Sequence, residues 1–97
     1  MVKKEAKLNA ENPWRVGANY FIRTVTHHFT GNLVSVGEKE LVLVDAAWIA
    51  DDGRFSEAME TETFSEVEPY PAGKKVIIGR SSVIDAVELT NLPRELK

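Results

Sequence analysis

Between Tyr20 and Val44, β-branched and aromatic residues return at almost every other position. That pattern suits pleated strands, and in the first run neither face is purely polar: Tyr20, Ile22, Thr24 and Thr26 point one way, Phe21, Arg23, Val25 and His27 the other. Two runs are predicted as strands, Tyr20 to Phe29 and Leu33 onward, with Thr30, Gly31 and Asn32 as the turn between them. Gly37, Glu38, Lys39 and Glu40 make a second turn, and Leu41 to Val44 form a third short strand, completing an antiparallel meander. On this alternation Ile22, Val25, Leu33, Val36, Leu41 and Leu43 are assigned to the core, joined by Ile77 and Ile84 from later strands.

Asp45 to Ile49 stay largely apolar and end at Asp51, Asp52, Gly53, a turn signal. From Arg54 to Val67 the spacing is closer to helical, with Phe55, Met59 and Ala58 on one side and Glu57, Glu60, Glu62 and Glu66 exposed. Thr61 and Thr63 limit that helix to one or two turns. Residues 51–73 are therefore expected to leave the sheet and return through Pro69, Tyr70, Pro71, Ala72 and Gly73. Val76 to Ile78 and Val83 to Leu89 then read as two strands around Gly79, Arg80, Ser81 and Ser82. Pro13 turns Asn12 away from helical geometry, so residues 1–13 are expected as a tail or short helix, 14–90 as one domain and 91–97 as a tail.

The chain has 97 residues and no cysteine, which removes disulfides, thiolate metal sites and thiol catalysis. Its net charge of −3 is the wrong sign for a domain that wraps nucleic acid by charge alone. No apolar run reaches the roughly 20 residues of a membrane span, and no apolar stretch follows Lys3 and Lys4, so neither span nor leader is expected.

His27 and His28 are neighbours, so on a strand their rings face opposite ways and cannot share a metal. Asp45, Asp51, Asp52 and Glu57 to Glu68 lack the spacing of a calcium loop and are expected as a solvated acidic face, with a cation or small-ligand site as a distant option. Gly79, Arg80, Ser81, Ser82 lacks the Gly-Lys ending of a phosphate loop and precedes a strand. No nucleophile elbow or carboxylate pair stands out. The expectation is a protein that is not an enzyme and holds neither metal nor cofactor.

Gly31, Leu33, Val36, Leu41, Leu43 and Asp45 occur in the order of the first motif of the Sm-like family, which includes the Sm, Lsm and Hfq proteins. Val76, Ile77, Ile78, Gly79, Arg80, Ser81, Ser82, Val83 and Ile84 resemble its second. The resemblance covers about half of the chain, Tyr20 to Asp45 and Lys74 to Leu89. It implies a mainly β fold: a five-stranded, strongly bent Sm-like (SH3-like) small barrel with a short helical excursion between strands 3 and 4. Against the family's RNA-reading pattern, the first turn is Gly37, Glu38, Lys39, Glu40, and in the second Gly79 precedes Arg80. Phe21 to Thr26 and Asp45 to Phe55 also resemble stretches of uncharacterised small bacteriophage or prophage proteins.

These likenesses imply a self-assembling structural or interaction module, a homo-oligomeric ring or filament in the cytoplasm or in a phage-like particle. Its acidic excursion would meet a protein partner. The expected oligomer interface comprises Val76, Ile77, Ile78, Val83 and Val87 on strand edges, with Trp48, Phe55 and Tyr70 as aromatic anchors. The alternative is an RNA-binding ring protein using Arg23, Lys74, Lys75 and Arg80. The acidic balance and the altered turns favour the first.

Overall fold

The computed structural model describes residues 12–97, so most of the expected N-terminal tail or helix lies outside the described residues. The chain forms β1 (Asn19–Thr24), β2 (His28–Val36), β3 (Glu40–Asp51), helix α1 (Phe55–Thr61), β4 (Glu66–Pro69), β5 (Val76–Gly79), a 3-10 turn at Arg80–Ser82 and β6 (Val83–Leu89). All ladders are antiparallel, in the order β4-β3-β2-β1-β6, with β5 also on β3.

The mainly β class and the helical excursion between β3 and β4 match expectation, but the sheet is open. The Sm-like barrel, and with it the recognition of the chain as Sm-like, is therefore incorrect. Closure would need the strands on β3 to pair with the strand on β1. Instead β5 is only four residues long, the 3-10 turn carries the chain to the opposite edge, and no ladder joins β5 or β4 to β6.

A second reason for the open sheet lies in the side-chain phase. A small barrel has one interior, whereas this sheet is covered on both faces. Tyr20, Ile22, Leu33, Leu41, Leu43, Ala46 and Ile78 form one buried cluster. Phe21, Ala47, Ile49, Ala58, Phe64, Val67 and Leu89 form another.

Asp45 makes the switch. Its φ is +52°, and the β2–β3 register shifts there, Thr30 opposing Ala47 and Asn32 opposing Val44. Such a bulge moves every later side chain to the other face. Leu41 and Leu43 thus serve the first cluster, while Ala47 and Ile49 serve the second.

The first turn is also displaced from its expected place. β1 ends at Thr24, whose N–H donates to the His27 carbonyl at 2.8 Å and whose hydroxyl accepts from the His27 N–H at 3.0 Å. Gly31 sits inside β2 instead of in a turn, opposite Tyr20. A Cβ there would come within 2.9 Å of the Leu43 Cβ and 3.2 Å of the Ala46 Cβ. The glycine is needed because the bulged β3 packs tightly against it.

Of the residues assigned to the core, Ile22, Leu33, Leu41 and Leu43 are fully buried and Val36 is half-buried. Val25 is 72% exposed because it lies in the turn, and Ile77 is 70% exposed because it alternates with Val76 and Ile78. Ile84 is 64% exposed; it is the unpaired residue where β6 shifts register against Arg23 and Thr24. Residues 51–73 do not stay clear of the sheet either. They supply β4, which pairs with β3, and bury Ala58, Phe64 and Val67 in the second cluster. Lys97 exchanges both backbone bonds with Val67 on the outer edge of β4, at 2.9 and 3.0 Å.

Candidate functional site

Beyond the Asp45 bulge, the alternation that sends Ala47 and Ile49 into the second cluster turns Trp48 to the face of the first. Phe29 lies directly opposite Trp48 on β2, and Glu68 opposite it on β4. The next stretch of chain is fastened beside them. Tyr70 N–H donates to the Ala46 carbonyl at 2.9 Å, Arg94 donates to the Ala46 and Tyr70 carbonyls at 2.8 Å each, and Gly73 N–H donates to Asp45 Oδ1 at 3.1 Å.

The result is an open cleft of about 550 Å³ lined by His27, Phe29, Trp48, Glu68, Pro69, Tyr70 and Pro71. The His27 ring stacks on Phe29, with centroids 6.1 Å apart and planes at 26°, and lies 5.9 Å from Trp48. Thr26 Oγ1 holds His27 Nδ1 at 2.7 Å. Trp48 is 39% exposed. Aromatic faces carry negative potential and Glu68 adds a carboxylate, so the lining has the chemistry that favours a cation over an anion.

Trp48 and Tyr70, expected as interface anchors, meet in this cleft, whereas the other expected interface residues are scattered. Phe55 begins α1, with the Arg23 guanidinium 4.7 Å above its ring. Ile78 is buried, Val76 and Val83 pack against the first cluster, and Ile77 and Val87 are exposed. The basic residues assigned to RNA do not converge. Arg23 forks onto Asp85 across β6, and Arg80 donates to the Gly37 carbonyl at 2.7 Å. Lys74 and Lys75 are exposed and lead into β5, on the far side of β3 from Arg23.

Other polar groups organise the β1–β6 edge. Arg15 forks onto Glu88 with both contacts at 2.9 Å and also donates its backbone N–H to Tyr20 Oη at 2.9 Å. The hydrogen bonds from Arg15 and Arg23 hold the Glu88 and Asp85 carboxyls below their ordinary range. Burial pushes the Tyr20 phenol up.

His28 points away from His27, as adjacent strand residues must. Its Nδ1 lies 2.9 Å from Asp52 Oδ1, and its ring stands edge-on to Phe21. Among the described residues, no three His, Asp or Glu side chains gather as a metal site, and no helix is long and apolar enough to cross a membrane.

Sequence reasoning missed His27, Phe29, Glu68, Pro69 and Pro71 as members of one site. The available signal is Pro69-Tyr70-Pro71, an aromatic held between two rigid residues, where the sequence reading takes the segment as the close of the excursion and Tyr70 as an interface anchor. Comparison with family models, with curated proteins and with solved structures finds no match.

Proposed function

We propose that this protein is a non-catalytic recognition module whose cleft takes a basic side chain, carried by an extended segment of a partner protein. The observation that carries this reading is the convergence of the Phe29, Trp48, His27 and Tyr70 rings with the Glu68 carboxylate in one open cleft. A guanidinium stacks on aromatic faces and forks onto a carboxylate at the same time, so arginine suits the site better than lysine. The prolines at 69 and 71 form a rigid wall that needs little ordering when a ligand docks. A nucleic-acid strand fits poorly, because its phosphates would meet Glu68.

The test is a fluorescence titration in a Trp14→Phe background, leaving Trp48 as the only indole. The probes are a short peptide with arginine between two prolines and the same peptide with citrulline, which keeps the shape and removes the charge. The reading predicts saturable change with the arginine peptide and binding weaker by about fivefold or more with citrulline, equivalent to roughly 1 kcal/mol of cation–π and ionic attraction. Equal binding of the two peptides, or no saturation at millimolar concentration, overturns it.

A further inference from the structure

We infer that two copies of this chain pair through the outer edge of β6, antiparallel about a two-fold axis at Val87. The inference is independent of the cleft. Thr24 N–H bonds to His27 on the β2 side, and Val25 N–H bonds to Ser82 on the β6 side. Alternation along β1 therefore points Asn19, Phe21 and Arg23 at β6, where they oppose Leu89, Val87 and Asp85. The N–H and C=O groups of Ala86 and Glu88 consequently face outward, and β6 has no second strand among the described residues.

The β4 edge is handled differently. Lys97 occupies both outward groups of Val67 on β4. Beyond β6, the Glu62 carboxylate accepts from Thr90 N–H at 2.9 Å and from Asn91 N–H at 3.0 Å, so the open stretch ends there. Among the described residues, the outward groups of Ala86 and Glu88 therefore form a short, defined edge, and a bare edge of this kind is a template for another strand.

A second copy fits that template with the axis at Val87. Ala86 of each copy then opposes Glu88 of the other, and these outward-facing residues exchange about four backbone hydrogen bonds. Val87, 42% exposed, meets its own counterpart in the close, non-hydrogen-bonded position. Two acidic strands would ordinarily repel. Here the Glu88 and Asp85 carboxylates are already forked by Arg15 and Arg23, and Glu88 falls opposite Ala86 and not another acid. An isologous contact closes at two copies, unlike a ring or filament built from β5 against β6. Its small extent places it with the weak, transient interfaces.

The experiment combines native mass with amide hydrogen exchange on the full chain, from low to high micromolar concentration. The expected result is growth of a dimer with concentration, accompanied by slower exchange at the Ala86 and Glu88 amides. Val87→Lys should keep the parent's β spectrum and remain monomeric. Ala86→Pro, which removes a donor that β1 does not use, should do the same. A parent that stays monomeric across the range, growth beyond a dimer, or a dimer that leaves the two amides unprotected overturns the inference. Protection of those amides that is independent of concentration and vanishes on removal of residues 1–11 also overturns it, assigning the edge to the chain's own N-terminal segment.

Discussion

Two neighbouring residues on β2 have opposite relations to their surroundings. Thr30 is fully buried between Phe21 and Ala47, and its hydroxyl finds no partner among the described residues. A buried unpaired hydroxyl is destabilising, while valine keeps the same shape and strand preference. Thr30→Val should therefore raise stability by about 1 kcal/mol in a denaturant titration. Gly31 tolerates nothing larger, since the Leu43 Cβ that an added methyl would strike is fixed to the backbone of β3. Gly31→Ala should lower stability by about 1–3 kcal/mol, the range for overpacking a tight core. The sequence placed this glycine in a turn, because a glycine between polar residues signals a loop when the strand across from it is unknown. Its actual reason is a close approach, visible only once β3 is laid beside β2.

At the scale of elements, what was legible followed regular alternation, and what was lost followed its interruptions. Leu33, Leu41 and Leu43 were readable as core, and so were the turn at Gly37 to Glu40 and the helix after Gly53. The bulge at Asp45 was not, since an aspartate at positive φ leaves no mark in a hydrophobic pattern. It reverses the faces of Ala47, Trp48 and Ile49, and through them decides which residues line the cleft. β4 was hidden for a related reason, its four residues alternating acid and apolar within a stretch of helical spacing.

The β1–β6 contact carries a prediction of its own. The folded Asp85 and Glu88 carboxyls are depressed by their arginines, so their contribution is complete above the ordinary carboxylate range and lost as pH falls through the depressed values. At low salt, the melting temperature of the parent should exceed that of an Arg15→Gln, Arg23→Gln double variant at neutral pH. The gap should close on acidification below about pH 4. A gap that persists in strong acid would assign the arginines' effect to packing instead.

The whole molecule is an open sheet with an apolar layer on each face, bent tightly enough that a glycine is required at its centre. That arrangement leaves a concave aromatic patch at one end, where β2, β3 and β4 meet, and at the other the β6 edge, which has no second strand among the described residues. The resemblance to a closed barrel rested on glycines and alternation, features that any strongly bent small sheet shares. Closure depends instead on strand lengths and on where the last crossing lands. The cleft was likewise out of reach of a linear reading, because its members come from three strands and two turns with no common spacing.

In the proposed recognition, Glu68 and the rings around Trp48 act together on one cationic group. A calorimetric cycle tests it most directly, crossing parent and Glu68→Gln protein with arginine and citrulline peptides. The parent should prefer arginine by about fivefold or more, and Glu68→Gln should lose most of that preference while still binding citrulline as the parent does. An arginine preference left intact by Glu68→Gln, or none in the parent, would contradict it.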